Sequence, residues 1–233
     1  TIADADATGS TATEFNTIDS ATTVAIDASA VTGLASDDID DITTLLTAAA
    51  DDTKFEDGSF GNLATVVVAD TSLTATELTD AIDDANIVTG GTDTVFTITA
   101  VDTITGSEAN FITLLADEEA EQISITDQNL TVTGTISVSN ANDLNETTEG
   151  TVTATIDADT TVDSLKTLEG TNAYTITIAD ADATGSTATE FNTINSATTV
   201  AIDASAVTGL ASDDIDDITT VSYTHLRAHE TVH

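Results

Sequence analysis

The chain has 233 residues and carries 42 Asp and Glu against 3 Lys and Arg, a formal net charge of -39, with no Cys, Pro, Met or Trp. Such a charge disfavours nucleic acid and anionic membranes as partners. The lack of cysteine excludes disulfides, thiolate zinc sites and a cysteine nucleophile, and no apolar run reaches the roughly 20 residues of a membrane helix.

Residues 1–44 recur at 177–220 with one difference, Asp19 against Asn195, so 43 of 44 positions agree. A duplication this close predicts a window on a longer tandem array, and residues 1–220 are expected to form one continuous repeat array. Residues 221–233 (VSYTHLRAHETVH) hold all three His and the only Arg, a composition foreign to the body.

In chain order, Thr11 and Glu14 form a T-x-x-E capping box before an apolar stripe of Phe15 and Ile18. A strand is expected at Val24 to Ile26. A longer helix is expected from Ser36, with Asp37 and Asp38 at its positive end, Ile39, Ile42, Leu45 and Leu46 buried, and Asp40, Asp41, Thr43 and Thr44 outside. Val66 to Val68 reads as a strand, followed by the Thr74–Glu77 box with Leu78 and Ile82. Phe96, Ile98 and Ala100 alternate with Thr and predict a strand. A third box at Thr105 and Glu108 precedes Phe111, Ile112 and Leu115, and Ile123 to Ile125 reads as a short strand. Period-2 alternation over Val152, Ala154 and Ile156, and over Tyr174, Ile176 and Ile178, predicts two more, before a last box at Thr187 and Glu190 with Phe191 and Ile194. β-branched Thr, Val and Ile suit a pleated surface with one buried face.

One 176-residue repeat thus holds about six strand–helix units, none large enough to bury its own apolar face. The expected fold is α/β: a strand–helix repeat solenoid with a parallel sheet and an opposite helix layer, neighbouring repeats being each other's partners. The alternative is an all-β chain, either tandem antiparallel sandwich domains or a β-helix.

Expected strands end in aspartate at Asp27, Asp70, Asp102, Asp127, Asp157 and Asp180, with Asp4 and Asp203 as repeat copies. On one edge of a parallel sheet, carboxylates about 4.8 Å apart repel one another, and calcium, which takes six to eight oxygens, would relieve this. The competing role of such residues is local, in Asx turns and helix caps. The best local calcium candidate is Asp4, Asp6, Thr8, Gly9 and Glu14, repeated as Asp180, Asp182, Thr184, Gly185 and Glu190. It resembles an EF-hand loop in D-x-D-x-T-G, with the Glu at loop position 11 instead of 12. Asp157, Asp159 and Asp163 form a looser cluster.

His229 to His233 spell HExxH, the zinc metalloprotease signature, with His225 as the one further imidazole. The motif needs a buried helix and a third ligand, and the sequence ends at His233. In the body there is no His, no nucleophile–base pair, no P-loop and no dinucleotide fingerprint, so no enzyme is expected. Rows of Thr-x-Thr on the strands form a second candidate surface, of the kind that binds ice or glycan.

SYTHLRAHETV in the tail resembles translated sequencing-adaptor read-through, which implies a non-native extension over residues 221–233. The body, in units such as VVVADTSLTATELTDAID, resembles the acidic Thr- and Asp-rich tandem-repeat segments of very large surface or secreted proteins of marine bacteria. That resemblance implies an extracellular or cell-surface stalk, adhesin or coat segment, with divalent cations and surface glycans as partners.

Overall fold

The computed structural model describes residues 1–2, 9–91, 93–179, 185–214 and 216–217. The chain is mixed α/β and divides into two compact units, residues 1–128 and 129–233. Each strand pairing described is parallel, and seven helices alternate with eight strands among the described residues. The all-β expectations therefore do not hold: capping boxes commit the intervening segments to helices, and consecutive parallel strands need crossovers longer than hairpin turns.

In the first unit the order is α1 (Ala12–Ala21), β1 (Gly33–Asp37), α2 (Ile39–Ala49), β2 (Thr65–Val68), β3 (Ser72–Thr74), α3 (Ala75–Thr89), β4 (Val95–Thr97), β5 (Thr103–Ser107) and α4 (Glu108–Glu119). Strand β2 lies between β1 and β4, and its register places Leu34 beside Val66 and Val66 beside Phe96. Strand β3 pairs with β5, Leu73 beside Ile104. Single bridges extend the same habit at Ile26 with Phe55 and Phe96 with Ile123. The helices pack in chain order, α1 on α2, α2 on α3 and α3 on α4. Beneath them Phe60 makes edge-on ring contacts with Phe15 (5.1 Å) and Phe55 (5.4 Å), and Leu45, Leu46, Leu78 and Ile82 are fully buried.

The second unit contains β6 (Asn129–Ile136), α5 (Val138–Thr147), β7 (Val152–Ile156), α6 (Val162–Leu165), β8 (Ala173–Thr175) and α7 (Ala188–Ser196). Its strands run β6–β7–β8, with Leu130 beside Val152 and Ala154 beside Tyr174. The core is pinned by a buried polar group around Asn172. Its Nδ2 donates to Asn145 Oδ1 (2.8 Å) and to the Tyr174 hydroxyl (3.2 Å), its Oδ1 accepts from the Val152 N–H (2.9 Å), and the Tyr174 hydroxyl donates to the Ala141 carbonyl (3.2 Å). Satisfied in this way, buried amides specify one arrangement of neighbouring segments.

Capping boxes form at Thr11–Glu14, Thr74–Glu77 and Thr187–Glu190 as expected. The third box is displaced: Ser107 and Asn110 cap α4, because Thr105 is held in β5 beside Thr74. Likewise Ser36 and Asp37 belong to β1, and α2 starts at Ile39. On α4 the buried partner of Phe111 is Leu114, while Ile112 is exposed. Strand β4 stops at Thr97, with Ala100 in an exposed turn.

Candidate functional site

The expected calcium aspartates fall into three groups. Asp4, Asp6, Asp180 and Asp182 lie outside the described residues, as do His225, His229, Glu230 and His233. Asp27 and Asp70 accept backbone N–H groups, one nearby and one across the chain. The Asp27 carboxylate accepts from the Ser29 hydroxyl (2.7 Å) and N–H (3.1 Å), an Asx turn repeated where Asp203 accepts from the Ser205 N–H (3.0 Å). The serine hydroxyl and N–H hold both carboxylates below the ordinary aspartate range. Asp70 accepts from the Ile39 N–H at 2.8 Å. It thereby serves the first turn of α2 from the neighbouring strand end, where the N-cap residue Asp38 makes no side-chain cap bond.

Asp102, Asp127 and Asp157 form the third group. Asp102 and Asp127 rim a cleft of about 530 Å³ in the first unit together with Glu118, Glu121 and Gln128, over a floor that includes Phe96 and Ile123. Both aspartates are exposed. Asp157 closes β7, its N–H donating to the Ile136 carbonyl (3.1 Å) and its carbonyl accepting from the Thr160 N–H (3.2 Å). Among the described residues no group of three His, Asp or Glu side chains is placed to hold a metal ion.

Asp37, expected at the start of its own helix, and Asp213 instead serve the helices before them. Asp37 accepts from the Thr13 N–H at 2.7 Å, and its counterpart Asp213 accepts from the Thr189 N–H at 2.8 Å, so each caps the preceding helix across 24 residues. Burial pushes the Asp37 carboxyl up, but hydrogen bonds from Thr13 and Asp38 outweigh it and leave it low; the Thr189 and Asp214 N–H groups lower Asp213. Asp70, followed by Asp37, Asp41 and Asp40, raises the exposed Asp38 carboxyl by like-charge repulsion. The start of α2 thus gathers five carboxylates, of which Asp70 accepts a helix N–H. Burial, with a smaller contribution from Asp83, pushes Asp117 on α4 up to about 6. Its Oδ2 is buried with no hydrogen-bond partner. No sequence pattern marks this residue, because the pressure on it comes from the packing of α4.

Each of the two lysines of the body reaches a carboxylate in another segment. Lys54 Nζ meets Asp19 at 2.8 Å, beside a cleft of about 510 Å³ that Asn16, Thr47 and Asp51 also line. Lys166 meets Asp163 at 2.6 Å and Glu190 at 2.7 Å. The chemistry on view is that of carboxylates accepting backbone N–H groups and binding cations. No protein family, curated protein or solved structure matches the chain.

Proposed function

We propose that residues 1–220 are a stretch of strand–helix solenoid that acts as a structural spacer, in a stalk, adhesin or coat of an extracellular protein, stiffened by calcium. The observation that carries this reading is the stepwise register of the strands. Leu34 pairs with Val66 and Val66 with Phe96 in one sheet, while β3 pairs with β5 in another, and in the second unit Leu130 pairs with Val152 and Ala154 with Tyr174, so that each sheet takes its strands in chain order and in parallel. A chain that advances one strand at a time buries a continuous core and lengthens without a closing strand. The role is mechanical, and the HETVH tail has no part in it. The net charge of -39 keeps such an array extended, and salt near seawater strength screens the repulsion over a few ångströms.

Calcium sites are assigned to Asp4 and Asp6, to Asp180 and Asp182, and to the exposed carboxylates of Asp102 and Asp127. The test is calcium titration of residues 1–220 at constant ionic strength, followed by circular dichroism and thermal melting. A saturable rise in melting temperature with calcium at roughly 0.1–1 mM, absent with matched sodium, is the expected outcome. Equal melting in a chelator would remove calcium from the proposal and leave the aspartates as caps and turns.

One observation favours a second reading, a binding surface for ice or glycan. Thr135, Thr155 and Thr175 stand in register across β6, β7 and β8 and are exposed, with Thr131 beside Thr153 in a second row. Strands about 4.8 Å apart make such rows a flat hydroxyl lattice. Ice-recrystallisation inhibition lost in Thr155→Asp would establish this reading; no inhibition by the parent chain would dismiss its ice form.

A further inference from the structure

Residues 1–44 and 177–220 share all but one residue, yet the face running from Ala28 to Leu34 in the first copy is covered differently in the second. In the first copy, residues 51–70 lie along the segment from Ile26 to Asp37. The Ile26 N–H donates to the Lys54 carbonyl and the Glu56 N–H to the Ile26 carbonyl, both at 2.9 Å. The Ser59 hydroxyl donates to the Ile26 carbonyl (3.0 Å) and accepts from the Ala28 N–H (3.1 Å). Beyond these, Leu34 is paired with Val66, and Lys54 is bonded to Asp19.

In the second copy Ile202 stays as buried as Ile26, but among the described residues the positions beyond it are less covered. Leu34 is 3% exposed and its counterpart Leu210 is 39% exposed. Ala28 and Val31 are fully buried, whereas Ala204 and Val207 are not. A Cβ on Gly33 would lie 2.7 Å from Thr65 Oγ1, while one on Gly209 would meet nothing within 4 Å. Asp19 holds Lys54, but Asn195 keeps its Oδ1 buried with no hydrogen-bond partner.

From these four matched differences we infer that the face formed by Asn195, Ala204, Val207, Gly209 and Leu210 is a docking site for a second copy of the segment 45–70. The docked segment lies parallel to residues 202–213. It places the Val66 side chain over Leu210 and the Thr65 hydroxyl against Gly209. Its lysine ammonium donates to the Asn195 carbonyl oxygen in place of the Asp19 carboxylate. This inference rests on the stacked-rung reading of the fold and specifies which segment the next rung must be.

The chain has no cysteine of its own, so disulfide capture reads this docking directly. Gly209→Cys in the full chain is mixed, in a chelator and a glutathione redox buffer, with a synthetic peptide of residues 45–70 carrying Thr65→Cys. A parallel variant repeats residues 45–70 directly after Thr220, with the same two substitutions, so that linkage raises the effective concentration. The geometry at Gly33 and Thr65 suits a disulfide, in which the two Cβ atoms lie about 3.5–4.5 Å apart. Expected is roughly tenfold more disulfide than with an order-scrambled segment in the linked form. No excess over the scrambled segment in the linked variant overturns the inference. The pair Gly33→Cys with Thr65→Cys in one chain separates the two levels. If it closes and the Gly209 pair does not, only the docking site fails; if neither closes, the stacked-rung reading fails too. Calcium response is read separately by melting.

Discussion

The two copies of the duplicated segment are a controlled experiment within one chain. Their helix starts and one backbone contact are the same. Thr11 and Thr187 both cap their helices with Glu three residues on. The Ile2 N–H donates to the Asp27 carbonyl at 2.7 Å, as Ile178 does to Asp203 at 2.8 Å. Their burial differs in opposite senses on two faces. Leu34 is covered and Leu210 is not; Ile18 is 43% exposed, whereas its counterpart Ile194 is fully buried. Extended geometry also depends on cover, since Gly33–Asp37 is a strand beside Thr65–Val68, while residues 209–213 are not a strand. A capping box is satisfied within four residues, whereas a strand needs a partner's backbone.

The largest expected effect breaks the symmetry of the copies. Leu34→Ala should cost about 2–5 kcal/mol in chemical denaturation, because it leaves a cavity under a covered face. Leu210→Ala should cost about 0.5 kcal/mol, as exposed substitutions do. Ile194→Ala against Ile18→Ala reverses the order of the copies, large in the second and small in the first. Equal costs within either pair would show that the two copies share one environment.

Next in size is a pair expected to be equal. Thr11→Ala and Thr187→Ala should each lose about 1 kcal/mol, since both hydroxyls accept from the N–H of the Glu three residues on, at 3.3 Å. A much smaller loss in one copy would mean that its helix start is held by tertiary contacts instead.

Asp117, outside both copies, sets the reference for acid response. Its folded value of about 6 lies above the ordinary aspartate value, so the native state binds the extra proton between about pH 4 and 6. Its destabilisation is then fully present above about pH 6 and fades as pH falls. Asp117→Asn should therefore stabilise at pH 8 by on the order of 1 kcal/mol, after allowance for solvent screening, and by little at pH 4. A gain independent of pH would assign the effect to packing.

The smallest effect is a titration shared by the copies. Asp37 and Asp213 have lowered folded values, so the stability they contribute is present above the ordinary aspartate value and is lost as pH falls through the folded ones. Carboxyl chemical shifts should show both titrating below that value, with Asp38 above it. Separate behaviour of Asp37 and Asp213 would show that only one of them caps its preceding helix.

Much of this architecture was legible one element at a time. Three of the four T-x-x-E boxes stand where the pattern put them, and Val152 to Ile156 alternates buried and exposed over its length. The short strands Gly33–Asp37, Ser72–Thr74 and Thr103–Ser107 were not legible, because three to five residues carry too little periodicity and Gly33 and Gly106 interrupt it. The helical stretch Val138–Thr147 was missed as well: its buried side, Val138, Ala141 and Leu144, is a stripe of three residues among Asn, Asp and Glu.

Among the candidate residues, Asp27 and Asp203 were nominated for calcium from their strand-end positions and form the Asx turns weighed as the competing role, with a partner two residues away. Asp37, Asp70 and Asp213 cap helices that start 24 to 31 residues earlier in the chain, a distance over which spacing carries no signal. Composition determined the charge of -39 and the absence of thiol chemistry, and local spacing determined three capped helix starts, because a capping box is a property of a few adjacent residues. Tertiary structure alone decided which copy of Leu34 is core, which carboxylate serves which helix, and that Asp117 binds its proton at about pH 6. Those outcomes depend on what another part of the chain places against a residue, and two nearly identical stretches of sequence that end up under different cover show it directly.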